Sequence, residues 1–320
     1  MLLSSGEGSV MKYRKIGTEL YLLLVLIVLF VFFSITSPHF LNVRNISNLV
    51  RQTSVNGIVA LGMLFVIISG GIDLSVGAVV GLSGIVVALL TKSGMNVFTA
   101  IGITVLAGMC VGLVNGLMVH FGKVPAFIAT LGAMTVTRGI IMLVSGARMV
   151  SGLPAEFTSI AQMTVFNVVP MLFVVWFIMI IIAYFISKHL VFGRNMYAFG
   201  SNHESARLSG INITLTVCGV YVFSAFACSI AGILMTSRLA NGVPTGGMGY
   251  ELDAIAASVV GGASLDGGEG TVIGTALGAL IMATIRQGGT LLGVNPFVLE
   301  IVVGLLIVTA VLVDKQRKKV

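Results

Sequence analysis

Long apolar runs separated by short polar passages make up almost the whole chain. Runs at 20–35, 54–69, 75–90, 97–119, 125–144, 170–187, 214–235 and 296–313 have, or nearly have, the length that spans a bilayer, about 20 residues. Two shorter runs, 250–262 and 271–285, flank a glycine-rich turn and read as short crossings. The pattern predicts an all-α polytopic membrane protein of about ten transmembrane helices, some of them short and broken or re-entrant. Pro38 closes the first run, and Asn295 and Pro296 read as the N-cap and first residue of the last helix. Residues 1–10 read as disordered, 37–53 as a polar exterior segment carrying Arg44 and Arg51, and 145–169 as an exterior loop.

The polar passage 188–213, KHLVFGRNMYAFGSNHESARLSGINI, interrupts this pattern most clearly. Ser201 reads as an N-cap, Glu204 three residues later completes a capping box, and Gly210 follows as a C′ residue, so a helix is predicted over 202–209. That helix is far too short to cross a bilayer. It is either a docking element for another protein or a solvated connector with chance caps.

A second feature is an internal repeat. GGIDLSVGAVVGLSG at 70–84 resembles ASLDGGEGTVIGTALG at 263–278; at a constant offset Asp73 meets Asp266, Gly77 meets Gly270, Val79 meets Val272 and Gly81 meets Gly274. In each copy an apolar segment ends, a glycine-rich turn carries an acid, and a GxxxG helix begins. Gly71, Asp73 and Gly77 mark the first helix break, and Gly262, Asp266 and Gly270 the second. Duplicated, glycine-interrupted hydrophobic segments are a pointer to transporters with a pseudo-twofold repeat. The two acids either cap free helix N–H groups or form an ion site, and their place at the cytosolic face favours capping.

Composition agrees with the pattern. The 320 residues are 57% hydrophobic and only 9% charged, with 40 glycines, and mean hydropathy is +1.09; soluble domains carry about 25% charged residues. The net charge of +7 reports topology and not nucleic-acid binding. Lys12, Arg14, Lys15, Lys123, Lys188, Arg194, Arg207, Lys315, Arg317, Lys318 and Lys319 mark the inner side. The smaller set Arg44, Arg51, Lys92, Arg148 and Arg238 marks the outer side. Both termini are then cytoplasmic. One transmembrane domain fills 1–320: an N-terminal segment 1–18, a first half 19–187, the cytosolic loop 188–213, a second half 214–313 and a tail 314–320. The three cysteines lie in apolar spans, and the four scattered histidines make no metal site. No phosphate-binding Walker sequence and no HExxH or GxSxG motif is present, so any ATP chemistry belongs to another chain.

Polar groups on the spans have two readings. Gly108, Gly112 and Gly116 form a row beside Asn115 that suits close helix packing first. Asn56, Asn115, Thr130 and Thr137 offer the modest hydroxyl and amide groups of a sugar pathway, and equally those of a helix interface. Arg138 either snorkels or pairs with an acid. Glu251 and Asp253 open a helix at its exterior end, where they cap it or meet a basic patch on an outside partner.

The segments SGGIDLSVGA, PAFIATLGAMTVTRG, FGRNMYAFGSNHESARLSGI and GYELDAIAASVVGGASLDGGEGTVIGTALGALI together resemble the ribose-type sugar permeases of bacterial ABC importers, from about Pro38 to the tail. Glu204-Ser205-Ala206 and Gly210 are similar to the E-A-A-x-x-x-G signature of importer permeases, with Ser205 departing from the middle alanine. The resemblance implies an ATPase-coupling segment comprising Gly193, Arg194, Gly200, Ser201, Glu204, Ala206, Arg207 and Gly210. It implies a homodimer in the lipid of the bacterial inner membrane, working with ATPase subunits that bind ATP and Mg and with an extracytoplasmic sugar-binding protein. No cofactor and no catalytic residue is then expected in this chain. An ion-coupled secondary transporter is the rival reading.

Overall fold

The computed structural model describes residues 5–166 and 168–317. Lys318, Lys319 and Val320 of the expected tail lie outside them. In chain order the helices are α1 (Ser5–Thr36), α2 (Val43–Ile68), α3 (Val76–Lys92), α4 (Val97–His120), α5 (Ala126–Ser145), α6 (Ala155–Gln162), α7 (Met171–His189), α8 (Val191–Ser201), α9 (His203–Leu208), α10 (Ile213–Leu239), α11 (Tyr250–Val260), α12 (Val272–Leu291) and α13 (Pro296–Arg317). A two-residue antiparallel hairpin, β1 (Thr164–Val165) with β2 (Val169–Pro170), follows α6. Among the described residues eight helices are long and apolar enough to cross a membrane: α1, α2, α4, α5, α7, α10, α12 and α13. The apolar α3 is shorter. At 11 residues, about 16 Å, α11 cannot cross alone. The all-α polytopic architecture is as expected; of the two runs read as short crossings, 250–262 folds as the short α11, whereas 271–285 belongs to α12, which at 20 residues is long enough to cross.

Three expectations change. Residues 37–53 are not mainly a polar loop: Asn42 caps α2 through the Arg44 amide (2.9 Å), and Leu49 and Thr53 are already buried. Helix α1 starts at Ser5, inside the stretch expected to be disordered. The exterior loop 145–169 contains α6, which Ser237 fastens to α10 by donating to the Phe157 carbonyl (2.7 Å) and accepting from the Ala161 amide (3.1 Å).

The core is built around α2 and α10. A side chain at Gly112 of α4 would meet the Ala225 Cβ of α10 at 2.6 Å, and one at Gly116 would meet the Cys218 Cα at 2.7 Å. The glycine row of α4 therefore packs helix on helix, as small residues do in membranes. Because α2 and α10 bury residues all round, no polar stripe marks them in the sequence.

Both repeat turns end their helix in the same way. Gly70 (φ 81) donates to the Ile67 carbonyl and Gly71 to that of Val66; Gly262 (φ 89) donates to Val259 and Ala263 to Ser258. These are paired left-handed terminations that glycine favours. The exits differ: α3 starts after Ser75 without a side-chain cap, whereas Thr271 caps α12 through the Gly274 amide (2.9 Å).

Candidate functional site at the junction of two helix breaks

The passage 188–213 folds as two helices, not one. In α8 the buried positions are Gly193, Met196 and Gly200, one helical face, while Val191, Arg194, Ala198 and Ser201 are exposed on the other. Gly193 lets α8 pack on the end of α7: a side chain there would meet the Ser187 carbonyl at 2.6 Å. Gly200 has no room for a side chain, which would overlap the Ile68 carbonyl oxygen at the first break and meet the Gly268 amide at the second (2.7 Å). The two breaks touch there as well. The Gly268 amide donates to the Ile68 carbonyl at 2.8 Å, and a side chain on Gly267 would lie 3.0 Å from the Gly70 Cα. Tyr197 donates its hydroxyl to the Gly270 carbonyl (2.9 Å). Three segments remote in sequence thus meet around Gly200.

The cap of α9 is Asn202, whose side chain accepts from the Ser205 amide (2.8 Å), and not Ser201, which ends α8 and lies against Gly268. The helix runs from His203 to Leu208, shorter than expected, and Gly210 (φ 76) follows it as the sequence predicts. Glu204 does not complete a box. It pairs with Arg207 (2.5 Å), both side chains being exposed. The hydrogen bonds and charge of Arg207 hold the Glu204 carboxyl below its usual range. Ala206, expected to face a partner, is only 3% exposed, while Leu208 is 77% exposed. Glu204, Ser205, Arg207 and Leu208 therefore form the outward surface. Beside this helix opens a cavity of about 400 Å³ lined by Gly70, His120, Lys123, His203, Arg207 and Tyr221 among others.

The acids of the repeat do different things. Asp73 is buried; one oxygen accepts from the Ser75 amide (2.9 Å) and hydroxyl (2.6 Å), the other from Ser224 of α10 (3.2 Å). It thus closes the turn just ahead of α3. Asp266 does not cap α12, since Thr271 does; its own amide reaches the Ser264 hydroxyl at 3.3 Å.

Two of the expected pathway residues meet at the first break. Asn115 donates to the Ser75 hydroxyl (2.9 Å). Thr130 accepts from the Leu74 amide and donates to backbone carbonyls, so it pins the first break to α5. Thr137 is buried on α5, and the side-chain oxygen of Asn56 on α2 is buried without a partner among the described residues. Asn115 and Thr130 thus meet the same turn, at Ser75 and Leu74. Of the expected outside contacts, Asp253 is turned inward to Arg286 of α12 (2.5 Å), and Glu251 accepts from the Gly249 amide (3.2 Å). Arg138 donates to the Gly246 carbonyl (2.7 Å). Sequence reasoning missed Asn202, Tyr197 and Leu208. The first is a common capping type one place further on; nothing local marks the other two. Among the described residues no group of three or more His, Cys, Asp or Glu could hold a metal.

Comparison with known proteins supplies the wider setting. A family model described as "Branched-chain amino acid transport system / permease component" matches residues 45–311. The ribose import permease protein RbsC of Haemophilus influenzae is 41% identical over 91% of this chain and 91% of its own length. RbsC of Bacillus subtilis is 40% identical over 95% and 94%. The D-allose transport system permease protein AlsC of Escherichia coli K12 is 36% identical over 96% and 93%. No solved structure matches the chain.

Proposed function

The chain belongs to the family of branched-chain amino acid transport system permease components, and from that premise we propose that it is the membrane subunit of an ATP-driven ABC importer for a monosaccharide, ribose or a related sugar. The family description names amino acids, but the ribose and allose permeases similar to it at 36–41% identity over more than nine-tenths of the chain favour a sugar. Two copies of the chain sit in a bacterial cytoplasmic membrane with their termini in the cytoplasm. An extracytoplasmic binding protein delivers sugar at the α6 side. ATPase subunits, which carry ATP and Mg, dock at the α9 side. This chain itself performs no hydrolysis.

The observation that carries the reading is the construction around Gly200. A short helix shows an apolar tip, Leu208, and a charged pair to the exterior, and the helix before it is seated on both broken segments of the body. An isolated helix of six residues is not stable in water, so a docked partner fits its geometry. Motion imposed on α9 reaches both breaks through Gly200. A solvated connector needs no such seat.

The test is reconstitution of the chain with its ATPase subunits and binding protein in vesicles. ATP-dependent ribose uptake is expected. Leu208→Glu should leave the amount of membrane-inserted chain unchanged, lose uptake, and lose stimulation of ATP hydrolysis by loaded binding protein. Uptake by the chain alone, driven by an ion gradient, would establish the secondary-transporter reading instead.

A further inference from the structure

The segment between α10 and α11 is at odds with a surround of lipid. Side chains added along it would meet α3 in order: Gly242 meets Ala88, Gly246 has its carbonyl against Gly81, and Gly247 lies on Val80 and the Gly77 carbonyl. Gly242 sits against Gly84 and Ala88 and Gly247 against Gly77 and Val80, a step of about 11 Å down α3, which the chain covers as irregular backbone with a turn in which the Gly246 amide donates to the Val243 carbonyl (2.9 Å). The segment therefore descends through roughly a third of a hydrocarbon layer about 30 Å thick. Only there does α11 begin. The second half completes this crossing with non-helical backbone.

One side of the segment is sealed, with Gly242, Pro244, Gly246 and Gly247 buried against the body. The other is open: Thr245 and Gly249 are exposed, and Met248 is 65% exposed. Among the described residues the Thr245 amide and hydroxyl donate to no acceptor. Irregular backbone with free polar groups is not stable against lipid; at this depth it is found buried in protein or lining water. Next to it stand the half-buried Arg138, whose NH1 donates to the Gly246 carbonyl, and Glu251 at the start of α11, one oxygen of which accepts from the Gly249 amide while the other is buried against Gly77 without a partner among the described residues. Burying these ions under a second copy would cost their hydration, whereas water in a passage satisfies them.

We infer that the open side of 240–249, with Arg138 of α5 and Glu251 of α11, is a wet wall of the sugar passage, and that Thr245 and Met248 face the passing sugar. The inference rests on the import reading above. Its chemistry suits an uncharged polyol: a hydroxyl, the remaining guanidinium N–H groups and the one outward oxygen of Glu251 exchange hydrogen bonds with sugar hydroxyls, while the Met248 side chain packs on the C–H face of the ring. None of these groups encloses the ligand, as befits a surface that must release it.

The experiment introduces single cysteines, Thr245→Cys and Met248→Cys, with Cys110→Ala in all chains, into the assembled complex in lipid nanodiscs. The probe is a charged, water-soluble methanethiosulfonate, with labelling of the Cys110→Ala parent subtracted. Ile178→Cys, on the exposed apolar face of α7, is the lipid-facing control. The expected result is modification at 245 and 248, none at 178, and loss of ribose uptake when modified chains are tested in vesicles. Labelling at 245 and 248 no greater than at 178 overturns the inference, as does spontaneous cross-linking of two copies through Met248→Cys in place of labelling. Undiminished uptake after full modification overturns it too. A parent that imports ribose while 245 and 248 stay unlabelled refutes the wall alone. A parent that imports nothing while both positions label supports the wet wall and refutes the sugar assignment.

Discussion

At the residue scale, backbone proximity decides more than side-chain chemistry. Gly200 is the clearest case, because a methyl group there would occupy the space of the Ile68 carbonyl and crowd the Gly268 amide. Overpacking of this kind costs about 1–3 kcal/mol, and here it also pries α8 from both breaks. Gly200→Ala should therefore lower the thermal unfolding midpoint of the purified chain and cut uptake, while Ala198→Ser on the exposed face of the same helix should do neither. An unchanged midpoint in Gly200→Ala would show that α8 is not seated as described. The glycines were conspicuous in the sequence, but their partners were not, since Ile68, Gly200 and Gly268 are far apart along the chain. Ala206 shows the same limit from the other side. The family resemblance placed it on the coupling surface, and only the tertiary position of a six-residue helix turns it in and leaves Leu208 out.

At the element scale, helix ends were legible to within a residue or two where capping chemistry is local. Asn295 and Gly210 stand where expected, and the N-cap of α9 moved by one residue, from Ser201 to Asn202. A second polar residue of equal capping ability explains that shift. The pairing of Glu204 with Arg207 on α9 gives a pH test. The folded Glu204 pKa lies below its ordinary value of 4.5, so its contribution is complete above that value and disappears as pH falls through the lower folded one. Amide exchange within α9, corrected for intrinsic rates, should rise at acid pH in the parent and be insensitive over that window in Glu204→Gln. The descending segment before α11 was not legible. A string such as NGVPTGGMG reads equally as a surface loop, because glycine and proline signal a break and not its depth. After this break the Asp253–Arg286 pair, whose side chains are 11% and 27% exposed, ties α11 to α12. Removing one member of a buried pair costs about 3–5 kcal/mol, and replacing both with apolar groups much less. Arg286→Met should thus lower the yield of folded chain sharply, and Asp253→Leu combined with it should recover most of that loss. Additive losses in the double variant would mean that the two groups do not depend on one another.

At the scale of the whole molecule, the two repeat halves are joined where their breaks meet, and α8 is seated across that meeting point. The arrangement makes a particular demand on coupling. If α9 is moved by a partner, both breaks must follow together, because Gly200 contacts Ile68 of one and Gly268 of the other. The Tyr197 hydroxyl adds a bond to the second break, at the Gly270 carbonyl. Removing it costs roughly 0.5–1.5 kcal/mol, too little to unfold the body but enough to let the second break lag behind the first. Tyr197→Phe should accordingly show near-normal membrane abundance and near-normal ATP hydrolysis in the complex, with more ATP consumed per sugar imported. This differs from the loss expected of Leu208→Glu, where the partner no longer engages and hydrolysis ceases to respond to loaded binding protein. An unchanged ratio of ATP to sugar in Tyr197→Phe would mean that the contacts at Gly200 suffice to move both breaks as one rigid unit.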